Sequence, residues 1–336
     1  MLDDARLGAY LEANVDGFGG PVSTRKFSDG QSNPTYLLEA NGKKFVLRRK
    51  PPGKLLKSAH AVDREFRVIS ALRDTGVPVP RAVHLCEDDE VVGSMFYIMS
   101  FEDGRILWDP SLPDISKPVR KVMHEDLVRV LAKLHDVDVE SAGLADFGYP
   151  GNYFERQIGR WTKQYRAAET STIAAMESLI DWLPSNMPED DGSVSLLHGD
   201  YRIDNVVYHK DEPRIIAVLD WELSTLGHPF ADLAYLCMVH HLPRGNGVRG
   251  LLGVNLDESG IPTEKDIVQH YCERRGIGEI QHWNFYLAFC FFRLASICQG
   301  VFKRSLDGNA SNKRAELLGK SVEPLASTGV RMFGDA

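Results

Sequence analysis

The chain has 336 residues, 43% hydrophobic and 26% charged, a composition typical of a globular protein and unlike that of disordered or collagen-like chains. Its net charge of -8 gives no general attraction to nucleic acid or to an anionic membrane, so we expect neither partner. The five cysteines are odd in number and lack a CxxC spacing, which favours reduced thiols in a cytoplasmic protein. The sequence has no signal-peptide pattern at its start and no uninterrupted apolar run of about eighteen residues.

The amino-terminal part of the chain is predicted to consist mainly of strands. Residues 35–40 and 43–49 alternate like strands and flank Asn41-Gly42, a dipeptide that tolerates positive φ and predicts a two-residue hairpin. One helix is predicted from about residue 60 to residue 75, because apolar side chains recur there at helical spacing.

A second hairpin is predicted over residues 82–86 and 91–99, joined across an acidic turn. The stretch 101–104 follows as a linker. Because the length suits two domains, we place a strand-rich N-lobe at residues 1–101 and a C-lobe at residues 102–336.

The remainder of the chain is predicted to be mainly helical. One β island interrupts the helices, since residues 205–209 and 214–219 are rich in Val and Ile and are joined by a turn. Periodic apolar positions give the bounds of the predicted helices, which are 117–135, 152–168, 172–183, 229–241, 263–275, 282–306 and 312 to about 325.

The two strands of the β island, residues 205–209 and 214–219, form a predicted hairpin, and candidate catalytic side chains lie at its ends. Asn205 opens its first strand and Asp220 closes its second. Antiparallel pairing brings both to the same end of the hairpin, with Asp200 on the loop just before. Phosphoryl transfer needs such a set, in which one carboxylate orients an attacking hydroxyl and hard oxygen ligands hold Mg²⁺ against nucleotide phosphates.

The run His-Gly-Asp-x-x-x-x-Asn, from His198 to Asn205, and the later Leu-Asp-Trp around Asp220 resemble the aminoglycoside phosphotransferase and choline-kinase-like family of small-molecule kinases. This resemblance implies a bilobal, protein-kinase-like α/β (α+β) fold, with a small antiparallel-sheet N-lobe, a mainly helical C-lobe and ATP between them. It also implies that Asp200 is the catalytic base and that Asn205 and Asp220 are catalytic as the ligands of Mg²⁺. His198 and Asp232 would give structural support to the catalytic loop.

The resemblance extends to a nucleotide site in the N-lobe. Residues 27–35 take the place of the loop that covers the nucleotide phosphates, and residues 97–103 resemble the interlobe hinge that binds adenine. Glu65 occupies the position of a helix Glu that pairs with a strand cation, and Arg48 occupies the place of the usual Lys, with Arg49 and Lys50 as rival candidates. The nucleotide-binding residues implied in this way are Gly30, Gln31, Ser32, Asn33, Arg48, Glu65, Met99 and Phe101.

Within the family, residues 46–53, 63–67 and 219–229 are similar to the kinase-like domain that larger relatives carry fused to an acyl-CoA dehydrogenase. The similarity covers about the whole chain, and we expect a free-standing version of that domain. It points to the hydroxyl of a hydroxyacyl-CoA or hydroxy acid as acceptor, rather than an aminoglycoside. Because the carboxy-terminal helices build the acceptor site in this family, the candidate acceptor contacts are Tyr235, His240, Arg293 and Gln299.

Two other functions stay open at this point. A catalytically dead, nucleotide-binding pseudokinase that acts as an interaction module is favoured by Arg48 in place of Lys, whereas intact Asp200, Asn205 and Asp220 argue against it. A metal-dependent hydrolase would need a second set of metal ligands, which the sequence does not offer. We therefore predict an ATP- and Mg²⁺-dependent phosphotransferase that acts on a small-molecule hydroxyl.

Overall fold

The computed structural model describes residues 2–27, 33–51, 61–245, 249–307 and 313–334. The described chain forms two compact units, each assembled from segments that are separate in sequence. The first unit combines the residues up to Ile106 with Glu140–Leu144 and Asn205–Ser224, and the second unit takes the rest. The division into residues 1–101 and 102–336 is contiguous and stays a prediction.

Strands and helices are distributed between the units as the predicted fold class requires, with an antiparallel sheet early in the chain and helices later. The strands are β1 (Val22–Lys26), β2 (Thr35–Ala40), β3 (Lys43–Arg49), β4 (Ala82–Cys86), β5 (Phe96–Ser100), β6 (Ser195–Leu197), β7 (Val206–Tyr208), β8 (Ile215–Val218) and β9 (Thr225–Gly227). The α-helices are α1 (Asp4–Asn14), α2 (Val62–Ala71), α3 (Asp89–Val92), α4 (Lys117–His135), α5 (Tyr153–Ala168), α6 (Ala174–Ser185), α7 (Phe230–Cys237), α8 (Leu256–Ser259), α9 (Glu264–Arg275), α10 (Trp283–Leu306) and α11 (Lys313–Gly334).

Within the described part of the first unit, five antiparallel strands form one sheet in the order β1-β2-β3-β5-β4. Strands β2 and β3 pair up to Ala40 opposite Lys43, so Asn41-Gly42 forms the predicted two-residue hairpin. Both turn residues have positive φ, 50° and 68°, as this type of turn requires. Helix α1 covers one face of the sheet, and their shared core includes Leu7, Leu11, Leu38, Leu47, Phe96 and Ile98.

The connection between β4 and β5 differs from the prediction. The sequence predicts a strand from Val91, whereas the structure forms α3 there and begins β5 only at Phe96. Asp88 caps α3 by accepting a hydrogen bond of 2.8 Å from the Glu90 amide, and Gly93 ends the helix with a φ of 86°. These two capping signals outweigh the strand propensity of the intervening valines.

Helix α10 is the centre of the second unit, where it packs against α5, α6, α7 and α11. All residues from Phe285 to Phe292 are buried. Among the described helices, α10 is the one whose length and composition would suit a membrane span, and 72% of that span is buried inside the protein. Such burial on all sides is typical of a core helix.

Helix α11 continues past a proline where the sequence predicts its end near Leu325. It includes Pro324 and reaches Gly334, and α6 likewise includes Pro184. Buried apolar residues beyond the proline, such as Met332, pack into the core of the unit. Their burial outweighs the backbone hydrogen bond that the proline removes.

A small sheet positions the loop at His198 in the second unit. Strand β6 ends at Leu197, one residue before this loop, and pairs antiparallel with β9. Strand β9 has only the three residues Thr225–Gly227, and the sequence pattern does not predict it. Strand β9 leads almost directly into α7, so the loop and the start of α7 both leave the same sheet.

Candidate active site

The hairpin of β7 and β8 brings Asn205 and Asp220 together in the first unit. Val206 pairs with Val218, and the Leu219 amide donates a hydrogen bond of 2.8 Å to the Asn205 carbonyl. The next residue along the chain is Asp220. The prediction that antiparallel pairing places Asn205 and Asp220 at one end of the hairpin is confirmed.

Asp220 has a left-handed backbone conformation, with φ 66° and ψ 60°, and begins a 3-10 turn at Trp221–Leu223. The turn is fixed by the Trp221 indole, whose Nε1 donates to the Val218 carbonyl at 3.0 Å, and by the Ser224 hydroxyl, which donates to the Trp221 carbonyl at 2.6 Å. A residue other than glycine in this region is unfavourable by about 1–2 kcal/mol and is held there by its surroundings. The fold therefore fixes the direction in which the Asp220 carboxylate leaves the hairpin.

The Arg48 guanidinium contacts three carboxylates in the same unit. Its Nε lies 2.9 Å from Oε2 of Glu65, and its Nη2 lies 2.5 Å from Oδ1 of Asp220 and 3.6 Å from Oε2 of Glu222. Arg48 is on β3 and Glu65 is on α2, so the predicted pair of strand cation and helix carboxylate is formed. One cation thus links the helix to the end of the hairpin.

Glu65 is the most buried member of this group, with 1% of its side chain exposed. Its Oε1 accepts a hydrogen bond of 2.8 Å from the side-chain Nδ2 of Asn33, and its Oε2 accepts one of 3.1 Å from the Tyr97 hydroxyl. Burial raises the pKa of Glu65 to about 7, against the opposing effect of the Arg48 charge. Burial alone would lower the pKa of Arg48, but Glu65 and Asp220 raise it above its ordinary value, so the guanidinium stays charged.

The two rival cations have other partners. Arg49 donates through Nη1 to the Val92 carbonyl, and Lys50 lies 3.5 Å from Asp63. These contacts involve neither Glu65 nor Asp220. Of the three candidates, Arg48 is therefore the cation that contacts both Glu65 and Asp220.

The other predicted nucleotide contacts are distributed differently. Gly30, Gln31 and Ser32 lie outside the described residues. Asn33 is 1% exposed and is bonded to Glu65 as described above. Met99 is buried in β5 opposite Val46 of β3, and Phe101 follows that strand, with the Lys44 ammonium 5.8 Å from the centre of its ring. Their contacts with a nucleotide stay predictions.

In the second unit, Asp232 holds the loop that carries Asp200. Its Oδ2 accepts a hydrogen bond of 2.6 Å from the His198 amide, and its Oδ1 accepts one of 2.9 Å from the Gly199 amide. Burial alone would raise the pKa of Asp232, but its interactions with His135 and with His198 lower it, so the carboxylate stays charged. Asp232, at the start of α7, thus supports the loop from the element that the resemblance implied.

Arg293 fixes the same loop from the other side. Its Nη2 donates a hydrogen bond of 2.7 Å to the Gly199 carbonyl, and its guanidinium is 5.9 Å from the ring centre of Trp161 and 5.6 Å from that of Tyr235. Burial and the negative charge of Asp200 raise the pKa of Tyr235 well above its ordinary value. The phenol therefore keeps its proton beside the predicted catalytic base.

Two of the candidate acceptor contacts are wrong. Arg293 is buried and bonded to the loop backbone, and Gln299 donates a hydrogen bond of 2.7 Å to the Ala168 carbonyl. Their spacing on α10 did not distinguish a helix face that lines a cavity from one that packs in the core. Tyr235 and His240 do line a cavity.

This cavity has a volume of about 70 Å³ and lies within the second unit, beside the loop residues that follow Asp200. That volume is room for roughly five water-sized groups. Arg202 and Arg249 contribute positive charge to its wall, and Arg202 is paired with Asp204. The apolar part of the wall includes Trp108, Leu127, Ile203, Leu236, Met238 and Leu294.

The side chains at the end of the hairpin suit a hard divalent cation. Asp220 has a carboxylate that is 33% exposed, and Asn205, directly before the neighbouring strand β7, has a side-chain amide oxygen. Among the described residues there is no group of three or more His, Cys, Asp or Glu side chains arranged to hold a metal by themselves. Magnesium sites in phosphotransferases need only one or two protein oxygens, because phosphates and water complete the shell.

The protein-kinase-like fold, with the loop at His198 and the hairpin end at Asp220 where the sequence predicts them, is that of a small-molecule kinase. The chain belongs to the phosphotransferase enzyme family, whose model matches residues 23–258. The family predicted from the sequence is thus confirmed.

Curated relatives are longer proteins. The chain is 48% identical over 91% of its length to acyl-CoA dehydrogenase family member 10 of Mus musculus, which it matches over 29% of that protein. It is 42% identical over 98% of its length to family member 11 of Homo sapiens, over 43% of that protein. The chain therefore spans well under half the length of these relatives, and it is similar to the kinase-like part that they carry.

Solved structures agree on the fold. The crystal structure of a protein from Ralstonia eutropha JMP134, assigned as an aminoglycoside phosphotransferase, is 47% identical to this chain. It covers 100% of this chain and 99% of its own, with a TM-score of 0.91. An aminoglycoside phosphotransferase APH(4)-Ia mutant bound to ADP and hygromycin B has a TM-score of 0.62 at 15% identity and covers 97% of this chain and 98% of its own. At that identity the second similarity establishes the fold alone.

Proposed function

We propose that this chain transfers the terminal phosphoryl group of ATP, with Mg²⁺, to the hydroxyl of a small molecule that has an apolar acyl chain, a hydroxyacyl-CoA or a hydroxy acid. The observation that carries the proposal is that Asn205 and Asp220 lie at one end of a hairpin, where the Arg48 guanidinium forms an ion pair with the Asp220 carboxylate. Nucleotide use is supported by family membership and by the ADP-bound structure of similar fold.

The Asn205 and Asp220 side chains would hold the Mg²⁺ ion. When bound, Mg²⁺ offsets the negative charge of the nucleotide phosphates. Arg48 carries a fixed positive charge in the same unit and contributes to that offset. Glu65 and the hydrogen bonds that it accepts from Asn33 and Tyr97 keep the Arg48 side chain in place.

Asp200 would orient the acceptor hydroxyl and accept its proton as the oxygen attacks phosphorus. The loop that carries Asp200 is fixed by Asp232 at two amides and by Arg293 at one carbonyl. Such positioning is a large part of phosphoryl-transfer catalysis, because the protein supplies little covalent chemistry.

The cavity beside this loop favours an acyl acceptor over an aminoglycoside. Its apolar wall suits a short hydrocarbon segment, and Arg249 suits an anionic group, whereas the charge of Arg202 is already balanced by Asp204. An aminoglycoside carries several positive charges, which Arg249 would repel. The relatives named acyl-CoA dehydrogenase family members agree with an acyl substrate.

The test uses ATP labelled on its terminal phosphate, Mg²⁺ and separate pools of hydroxyacyl-CoAs, hydroxy acids and aminoglycosides. We expect label in the hydroxyacyl-CoA or hydroxy-acid pool with the wild type, and a loss of at least about a thousandfold with Asp200→Asn, whose nucleotide affinity stays within about twofold. Turnover by Asp200→Asn within a few fold of the wild type would contradict the proposal that Asp200 accepts the proton of the acceptor hydroxyl. Nucleotide binding with no labelled product in any pool would instead support a pseudokinase.

A further inference from the structure

A chain of buried polar groups extends from Asp232 away from the catalytic loop, and the mechanism proposed above does not use it. The ring of His135 is fully buried, with its Nε2 3.6 Å from Oδ2 of Asp232 and its Nδ1 2.7 Å from the Tyr271 hydroxyl. Arg275 reaches the same hydroxyl, with its Nη1 3.2 Å from the oxygen. The groups come from α4, α7 and α9, so three helices meet at this chain.

The direction of each hydrogen bond follows from what each group can donate. A guanidinium only donates, so the Tyr271 oxygen accepts from Arg275. Tyr271 then has one proton left, and the nitrogen beside it is Nδ1 of His135. On the other side, Nε2 faces the Asp232 carboxylate, which only accepts, so both contacts are satisfied when neutral His135 has its single ring proton on Nε2 and Nδ1 accepts the Tyr271 proton.

The surroundings keep His135 in its neutral form. Burial lowers the pKa of the His135 imidazole, and burial raises the pKa of the Tyr271 hydroxyl. The charged neighbours are Asp232 on one side and Arg275 on the other, and Arg275 Nε is paired with Asp136 at 2.8 Å. The positive charge nearest to the ring is thus already balanced by a carboxylate.

We propose that His135, held by Tyr271 and Arg275 as the tautomer with its proton on Nε2, is a positioning residue for phosphoryl transfer that acts through Asp232 on the loop bearing Asp200. Asp232 is the shared acceptor of the His198 and Gly199 amides, so whatever fixes its carboxylate also fixes the backbone next to Asp200. At 3.6 Å the Nε2 contact is longer than a hydrogen bond, and we expect it to shorten when both substrates are bound. The kinetic part of this inference rests on the proposed function.

Two substitutions of His135 separate positioning from packing. Glutamine places its amide near the position of Nε2 and can donate to Asp232, whereas asparagine places its amide near the position of Nδ1 and reaches only Tyr271. We expect His135→Gln to keep kcat within about threefold of the wild type and His135→Asn to lower it at least about tenfold, with the KM for nucleotide unchanged within about twofold. Thermal unfolding of both variants verifies that they fold. Equal kcat values for two folded variants would overturn the proposal.

A spectroscopic measurement tests the tautomer without any assay of transfer. In protein labelled with ¹⁵N in histidine, the chemical shifts of the two ring nitrogens report which one carries the proton. We expect the proton on Nε2 of His135 in the wild type, and a mixture of tautomers in Tyr271→Phe, which has no proton to donate to Nδ1. A proton on Nδ1 in the wild type would overturn the proposal. An absence of phosphoryl transfer in the wild type would instead count against the proposed function and leave this measurement valid.

Discussion

Arg48 stands where the resemblance implies a lysine, and its contacts show what a guanidinium adds at this position. A lysine ammonium is a single point of charge, whereas the guanidinium of Arg48 uses separate nitrogens for Glu65 and for Asp220. The Arg48 side chain is 12% exposed and Glu65 is 1% exposed, so solvent screens this pair only weakly. The arginine thus connects α2 directly to the end of the hairpin.

A lysine at this position would lose that connection. We expect Arg48→Lys to lower the free energy of unfolding by about 1–3 kcal/mol, because one ammonium cannot reach Glu65 and Asp220 together and leaves a buried carboxylate less well paired. Denaturant unfolding at neutral pH measures the change. The matched control is Arg49→Lys on the same strand, whose hydrogen bond to the Val92 carbonyl a lysine can also make. A loss as large in the control as in Arg48→Lys would contradict this account.

At the scale of elements, the hairpin of β7 and β8 is attached to the segment that follows β5 in the first unit. The Arg105 amide donates to the Tyr208 carbonyl at 2.7 Å, and the Tyr208 amide donates back at 2.9 Å. Gly104 lies directly against this contact. A Cβ added at Gly104 would lie 2.3 Å from the Tyr208 carbonyl oxygen and 2.6 Å from Cγ1 of Val207.

The close approach at Gly104 predicts a steric effect on the hairpin. We expect Gly104→Ala to lower the free energy of unfolding by about 1–3 kcal/mol, because the added methyl group forces the two backbone segments apart. The control is Gly159→Ala in α5, where nothing lies within 4 Å of the added Cβ and the exposed helical site favours alanine by about 0.5–1 kcal/mol. Unfolding of both variants in denaturant gives the comparison. A Gly104→Ala protein as stable as the wild type would show that the hairpin is not held in this way.

At the scale of the whole molecule, the sequence predicts what depends on local periodicity and on a compact motif. Helix α4 has the predicted bounds, 117–135, because its apolar positions recur regularly along its length. The hairpin end with Asn205 and Asp220 follows from strand pairing alone. The family follows from the spacing of a few residues around this hairpin and its preceding loop.

The features that the sequence did not predict depend on partners far along the chain. Strand β9 has only the three residues Thr225–Gly227, which form a strand because β6 pairs with them. Arg293 and Gln299 are polar residues in a mainly apolar helix. Only the tertiary contacts show that both donate hydrogen bonds to backbone carbonyls and do not line the cavity beside the catalytic loop. His135 at the end of α4 has no local sign of its contact with Asp232. Such contacts become visible only when the helices are packed.

The central claim of this account is that Asp220 at the hairpin end holds the divalent metal. The most direct test is a titration of Mn²⁺ in the presence of ADP, followed by electron paramagnetic resonance of the free ion. The variants compared with the wild type are Asp220→Asn, whose asparagine tolerates the left-handed backbone at this position, and Asp103→Asn, which removes an exposed partner of Lys210 in the same unit. We predict that Asp220→Asn weakens Mn²⁺ binding about 100-fold or more and that Asp103→Asn leaves it unchanged. Binding to Asp220→Asn as tight as to the wild type would contradict the account.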